Sequence, residues 1–202
     1  SAYKDTYTPA LGHEFFDGKC TRCGIDVLDA FTDVKRDSYC ADAVQWAVAN
    51  GITKGTDTTH FSPNAGCTRG QVVTFLWRAA GEPVVSGNVR FVDVAPGSYC
   101  YEAVKWAVAN GITKGTDATH FSPNAGCTRG QVVTFMYRAE GEPAVGGSNG
   151  FVDVAAGSYC YNAVQWAVAN GITKGTDATH FSPSATCTRG QIVTFLYRYL
   201  AD

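Results

Sequence analysis

The stretch Cys67-Thr68-Arg69-Gly70-Gln71 decides how this chain is organised, because it returns unchanged at 127–131 and 187–191. A second stretch, Ala-Asn-Gly-Ile-Thr-Lys-Gly-Thr-Asp, repeats with the same spacing of 60 residues, at 49–57, 109–117 and 169–177. A period of this length in a chain of 202 residues indicates one supersecondary unit copied three times. The chain is therefore read as one unit presented three times.

Each unit predicts two helices joined by a long loop. The first helix is expected near 41–50, 101–110 and 161–170, where Val44, Ala47 and Val48 have helical apolar spacing and Asn-Gly follows. The second begins at a capping box, in which Thr68 precedes Gln71 by three residues. The fold class is all-α, built from three tandem helix-loop-helix repeats.

The repeats must share a core, because two short helices are too few for a stable domain. An open solenoid needs atypical terminal repeats, whereas here the first and last units look like the middle one. We therefore expect a monomer closed around a pseudo-threefold axis. The predicted boundaries are an N-terminal segment at 1–30 and motifs at 31–90, 91–150 and 151–202.

Composition and charge exclude several functions. The net charge of −2 gives no global field for nucleic acid, and no apolar run approaches the roughly 18–20 residues that a membrane span needs. The sequence has no nucleophile elbow, no phosphate loop and no paired carboxylates in a cleft motif. We expect no enzyme, no nucleic-acid partner and no membrane insertion.

Six cysteines follow the repeat, two in each unit. Paired, periodic cysteines favour disulfides and an oxidising environment outside the cytoplasm, although each could instead be a small buried hydrophobe. Pairing within units is preferred over pairing between units such as Cys67–Cys100, because each copy is then stapled independently. The expected within-unit disulfides are Cys40–Cys67, Cys100–Cys127 and Cys160–Cys187.

The N-terminal segment carries a different cysteine pattern. His13, Cys20 and Cys23 resemble half of a zinc ribbon. A structural zinc site needs four ligands, and this pattern supplies three. Three interpretations are therefore possible: a zinc site completed by a residue elsewhere, a local disulfide, or a vestige of a longer domain. No other cofactor is expected.

The repeated motifs resemble the S-layer homology domain. The resemblance rests on Phe31-Thr32-Asp33-Val34, the helix ending in Asn-Gly-Ile, the loop ending in Phe-Ser-Pro and the Thr-Arg opening of the second helix. It covers about residues 31–200 and implies a pseudo-trimer around a central three-helix bundle. It also implies an anchor on the bacterial cell surface, part of a larger surface protein, that binds secondary cell-wall polysaccharide, often pyruvylated. The family's Thr-Arg-Ala-Glu is Thr-Arg-Gly-Gln here.

Arginines in the first turn of the second helices are the main candidate ligand-binding residues. Unpaired backbone N–H groups at a helix start favour an anion, and a guanidinium adds a bidentate fork for a carboxylate. The alternative is an ion pair with Asp33, Asp93 or Asp153. The arginines are Arg69, Arg129 and Arg189.

Other repeated residues could complete the site. Loop lysines could reinforce selection of an anion, glycines could let the backbone approach a ligand, and indoles could stack on a sugar face, although the indoles fit a core position better. They are Lys54, Lys114, Lys174, Gly55, Gly115, Gly175, Trp46, Trp106 and Trp166. The leading hypothesis is a non-catalytic anchor that binds an anionic glycan. The alternative is a structural or protein-interaction module that has lost glycan binding.

Overall fold

A computed structural model describes residues 15–16 and 18–201. These residues form a short hairpin and seven helices, which confirms the predicted helical class. The elements are β1 (Phe15–Phe16), β2 (Lys19–Cys20), α1 (Val27–Ala30), α2 (Ala41–Ala49), α3 (Arg69–Ala79), α4 (Tyr101–Ala109), α5 (Arg129–Ala139), α6 (Tyr161–Ala169) and α7 (Arg189–Leu200).

Local sequence signals set the ends of the repeated helices. Thr68 caps α3 by accepting a hydrogen bond from the N–H of Gln71, and the Gln71 side chain accepts from the N–H of Thr68. The same capping box opens α5 and α7. Asn50 ends α2, and Gly51 follows at φ 69°. The predicted helix starts and stops are therefore confirmed to within about a residue.

The core is built between motifs rather than within them. Helices α2, α4 and α6, the first helices of the three motifs, pack on α7, α3 and α5 respectively, the second helices of the preceding motifs. Helix α3 also contacts α5 and α7. Because motif 1 packs on motif 3, the first and last motifs are neighbours.

Backbone hydrogen bonds join the starts of the second helices in a cycle. The N–H of Cys67 donates to the carbonyl of Cys187 at 2.9 Å, that of Cys127 donates to Cys67 at 2.8 Å, and that of Cys187 donates to Cys127 at 2.9 Å. Isolated β-bridges link the same segments. The cycle supports the predicted closure around a pseudo-threefold axis.

The six repeated cysteines are buried thiols, so the expected disulfides are wrong. Cys40 does not face its own partner Cys67. The Sγ of Cys40 lies 3.3 Å from the position of a Cβ built on Gly190, at the start of α7 in the third motif. Cys100 and Cys160 sit in the same way beside Gly70 and Gly130. The thiols act as small apolar side chains in tight contacts between motifs.

The N-terminal hairpin lies on motif 1. Strands β1 and β2 pair antiparallel, β1 contacts α2, and α1 packs on the same helix. Within the described part of the chain, no helix is both long and apolar enough to span a membrane.

Candidate functional site

An aspartate in each motif holds the repeated Phe-Ser-Pro turn in place. Both carboxylate oxygens of Asp33 accept backbone hydrogen bonds, from Phe61 at 2.9 Å and from Ser62 at 2.7 Å. Ser62 has a φ of 59°, a left-handed conformation that this pair of bonds holds in place. Asp93 and Asp153 do the same in motifs 2 and 3.

Each turn docks against the start of the second helix of the preceding motif. The N–H groups of Arg69 and Gly70 donate to the carbonyls of Ala125 and Pro123 in motif 2, each at 2.9 Å. Gln71 and Thr68 satisfy each other's backbone N–H groups through the capping box. The sequence predicted unpaired backbone N–H groups that could bind an anion, and this prediction is wrong. The neighbouring motif accepts hydrogen bonds from two of the four N–H groups, and the capping box satisfies the other two.

The arginine side chains lie buried between motifs. Arg69 is 4% exposed, and its Nε donates a hydrogen bond of 2.9 Å to the carbonyl of Phe121 in motif 2. Its guanidinium carbon lies 4.9 Å from the centre of the Phe121 ring and 5.4 Å from that of Phe135. Arg129 contacts Phe181 and Phe195, and Arg189 contacts Phe61 and Phe75, in the same manner.

These guanidinium groups retain unused hydrogen-bond donors. In the described residues, Nη2 of Arg129 is buried with no hydrogen-bond partner, whereas Nη2 of Arg189 donates to Oγ1 of Thr53 at 3.5 Å. Nε is the one guanidinium nitrogen of Arg69 or Arg129 that meets an acceptor within residues 18–201. A buried cation with free donors is a site that an anionic acceptor would complete.

The alternative ion pair with the motif aspartates is not formed. Among residues 18–201, no carboxylate oxygen lies within 4.0 Å of these three guanidinium groups. Asp93 is still near enough to favour the charged form of Arg69, but burial dominates and lowers the pKa of that arginine. Burial lowers the pKa of Arg129 and Arg189 as well. Each junction between two motifs therefore holds a buried arginine whose positive charge is only partly compensated by its surroundings.

Tyrosines cover the starts of the same helices. Tyr99 is 58% exposed, yet its phenolic oxygen lies 3.4 Å from Oγ1 of Thr68, and Tyr159 meets Thr128 at 3.5 Å. Tyr39 is exposed to a similar extent and lies beside Gly190. Each ring from the following motif therefore presents an open aromatic face beside a junction.

The loop lysines predicted to bind a ligand are exposed, whereas the loop glycines are required by the geometry of the turn. Lys54, Lys114 and Lys174 are exposed. Gly55 has a φ of 89°, and a Cβ there would lie 2.7 Å from both the carbonyl oxygen of His60 and the Phe31 ring. The turn itself therefore requires glycine, as it does at Gly115 and Gly175. The expectation that these glycines admit a ligand is not needed to explain them.

The predicted tryptophans are not equivalent. Trp106 and Trp166 are core residues, 7% and 3% exposed, whereas Trp46 is half-buried. Trp46 packs edge-on against Tyr197 with ring centres 5.8 Å apart. One of the three indoles therefore borders open space.

The loop histidines are hydrogen-bonded to nearby aspartates. Nδ1 of His60 lies 3.0 Å from Oδ1 of Asp57, which also accepts from the N–H groups of Thr59 and His60. These bonds, led by that from Thr59, lower the pKa of Asp57 to about 2. The arrangement recurs at Asp117 and Asp177.

The predicted N-terminal zinc site cannot be built from what is described. His13 lies outside the described residues, while Cys20 is buried and Cys23 is exposed. The described part of the chain holds no group of three or more candidate metal ligands. Zinc at this segment stays a prediction.

The fold and the junction sites define a tandem-repeat module with one shared geometry in three copies. The S-layer homology domain model matches residues 30–73, 90–133 and 150–193. These matches cover more than half of the chain, and the chain belongs to the S-layer homology domain family. Its role as a surface-attachment module on the outside of a bacterial cell follows from that membership.

Three relatives that match this region are much longer than the chain. The chain is 32% identical over 175 residues to the Surface-layer 125 kDa protein of Lysinibacillus sphaericus, covering 83% of the chain and 14% of that protein. It is 24% identical to Exoglucanase XynX of Acetivibrio thermocellus, over 84% of the chain and 16% of the enzyme. A Cell surface protein of Thermoanaerobacter kivui is 31% identical over 58% of the chain and 16% of its own length. The chain thus spans less than a fifth of each of these relatives.

Proposed function

We propose that this chain attaches a larger surface protein to the bacterial cell wall by binding an anionic secondary polysaccharide, without catalysing a reaction. One observation carries the proposal: a buried arginine with unused guanidinium donors lies at each junction between motifs. Burial has already removed water from these groups, so a matching anion meets a smaller desolvation cost than at an exposed arginine.

A carboxylate suits these positions best. Two parallel N–H donors of a guanidinium match the two oxygens of a carboxylate, and hydrogen bonds between charged groups are roughly twice as strong as neutral ones. A pyruvyl ketal on a sugar supplies such a carboxylate on a rigid ring. The proposed ligand is therefore a polysaccharide with pyruvylated or otherwise carboxylated units.

Residues around each junction would contact the rest of the sugar. The open faces of Tyr39, Tyr99 and Tyr159 provide apolar surfaces for a pyranose ring. The exposed Lys54, Lys114 and Lys174 add positive charge to loops that join the two helices. With three similar sites in one monomer, simultaneous contacts to one polymer would raise the avidity well above that of a single site.

Co-sedimentation with cell-wall sacculi tests this function. The intact chain should sediment with sacculi, and acid removal of the secondary polysaccharide should abolish binding. Replacing Arg69, Arg129 and Arg189 by Lys keeps the charge but loses the fork, so binding should weaken by about tenfold or more. The matched control is Arg36→Lys, since Arg36 is an exposed surface residue paired with Asp29.

Three results would contradict the proposal. Wild-type binding by the triple lysine variant, with unchanged circular dichroism, would show that the arginines do not bind the glycan. Equal binding to both preparations would identify peptidoglycan as the ligand. No binding to either would favour a protein-interaction module.

A further inference from the structure

A cleft on motif 1 differs from the junction sites in both position and chemistry. It has a volume of about 390 Å³ and lies where α2 meets α7. Its lining includes a carboxylate, two amides and two aromatic rings, contributed by Asp42, Gln45, Asn50, Trp46 and Tyr197. Among these side chains there is no cation.

The same helix face is filled in motif 2. Nζ of Lys105 lies 2.6 Å from the Glu102 carboxylate and 5.7 Å from the centre of the Tyr101 ring. Glu102 and Lys105 occupy the positions of Asp42 and Gln45. An internal ion pair thus neutralises the carboxylate of this motif, and Trp106 beneath it is buried.

In motif 3 the preceding connector occupies the glutamine of this face and leaves a cleft of about 460 Å³ beside Trp166, Asn170 and Tyr199. Nε2 of Gln165, the counterpart of Gln45, donates a hydrogen bond of 2.6 Å to the carbonyl of Gly147 in the preceding connector. Gln165 and Trp166 are both buried there. The glutamine of this helix face therefore donates to an oxygen acceptor in motif 3.

In motif 1 the Gln45 side chain lies beside the hairpin, with Nε2 at 2.9 Å from the position of a Cβ built on Gly18, and the groups of the cleft keep unused hydrogen-bonding capacity. Within the described residues, the side chains of Asp42 and Gln45 make no hydrogen bond or ion pair, and Asn50 uses only its Nδ2, which donates to the Trp46 carbonyl at 2.9 Å. Trp46 is half-buried and held edge-on by Tyr197. The cleft therefore combines a fixed indole with unpaired donors and acceptors.

We propose that this cleft binds a neutral pyranose sugar. The apolar face of a pyranose packs on an aromatic ring, while its hydroxyls are both donors and acceptors that a carboxylate and amides can satisfy. A carboxylated sugar is disfavoured, because Asp42 would repel it and the cleft has no cation among its lining residues.

The position of the cleft links it to the proposed anchor function, on which this inference rests. Tyr197 lies eight residues after Arg189 on α7, a separation of about 12 Å along the helix axis. That distance is within reach of a short oligosaccharide. The cleft would hold a neutral unit of the same polysaccharide whose anionic unit binds at a junction.

Chemical-shift mapping of the ¹⁵N-labelled full chain with N-acetyl-D-glucosamine, titrated into the tens of millimolar range, tests the inference. The probe is uncharged, so it isolates the cleft from the junction sites. We expect saturable shifts at the Trp46 indole N–H and the side-chain amides of Gln45 and Asn50, with Trp106 and Trp166 unmoved. Asp42→Asn should raise the dissociation constant about tenfold, whereas the matched control Glu102→Gln should not change it.

Other outcomes overturn the inference without touching the anchor function. Absent shifts, equal shifts at all the indoles or an unchanged Asp42→Asn affinity would each reject the cleft as a sugar site. If sacculi still bind while the probe does not, the proposed function stands and only the neutral subsite fails.

Discussion

Nε of Arg189 donates a hydrogen bond of 2.8 Å to the carbonyl of Phe61, although 128 residues separate the two in sequence. This bond joins the third motif to the first, and equivalent bonds join Arg69 to Phe121 and Arg129 to Phe181. The arginines that would receive the glycan carboxylate therefore also connect the motifs. In the proposed function, ligand binding and closure of the chain would therefore be coupled through the same side chains.

Replacing Arg189 by Met should destabilise the fold. The change removes a hydrogen bond from a charged donor and two contacts with aromatic rings. It also removes the cost of burying a charge, so we expect the free energy of unfolding to fall by about 1–3 kcal/mol. Urea denaturation followed by circular dichroism measures it. Arg36→Met should cost less than about 0.5 kcal/mol, because that side chain pairs with Asp29 at the surface. Equal stabilities for Arg189→Met and wild type would show that the arginine does not hold the motifs together.

Gly70→Ala should also destabilise the fold, even though alanine is the better helix former. A Cβ at Gly70 would lie 2.5 Å from the phenolic oxygen of Tyr99 and 3.1 Å from the carbonyl of Pro123. Overpacking of this kind costs about 1–3 kcal/mol, more than the roughly 1 kcal/mol that alanine gains in a helix.

A second variant separates the clash from other effects of Gly70→Ala. Tyr99→Phe removes the nearest oxygen, so the double variant should recover part of the loss in denaturation experiments. Gly126→Ala is the matched control, since its Cβ would meet only Thr186, at 3.9 Å. A Gly70→Ala protein as stable as the Gly126→Ala protein would refute the packing argument.

Local features were predictable from the sequence, whereas contacts between motifs were not. The Thr68–Gln71 box and the Asn50-Gly51 stop depend on residues a few positions apart, and both appear as expected. The carbonyls of Ala125 and Pro123 that use the helix N–H groups come from another motif, and no local signal reveals them. The cysteine pairing failed for the same reason, because Cys40 faces Gly190 and not its own motif.

The arginine site illustrates the same limit. The position of Arg69 in the helix could be read from Thr-Arg, but its burial depends on Phe121 and Phe135, both from the next motif. The different exposure of Trp46 also follows from its surroundings, since Trp166 packs against the rings of both Tyr137 and Tyr199 whereas Trp46 packs against Tyr197 at a cleft. Near-identical helices therefore acquire different surfaces.

The six repeated cysteines should remain unreactive in the native protein. Burial raises the pKa of Cys67 to about 11 and that of Cys127 to about 12, so little thiolate exists at neutral pH. Iodoacetamide labelling followed by peptide mass spectrometry should modify them only after denaturation, and reductant should not change the melting temperature. Recovery of a linked Cys67–Cys100 or Cys40–Cys67 peptide under non-reducing conditions would contradict this.

The exposed aspartates of the loops should titrate well below the usual range. Backbone bonds from Thr119, and then the bond with His120, lower the pKa of Asp117 from 3.8 to about 2. A lowered pKa in the folded state means that the aspartate stabilises the fold fully above about pH 4, and that this contribution is lost as the pH falls towards 2. Carboxyl ¹³C shifts should therefore give a midpoint near 2 for Asp117.

A variant in which Asp57, Asp117 and Asp177 are all replaced by Asn provides a second measurement. The difference in stability between wild type and this variant should be constant above about pH 4 and should shrink towards pH 2. A midpoint at 3.8, or a stability difference that does not change with pH, would show that these loop bonds do not favour the ionised carboxylates.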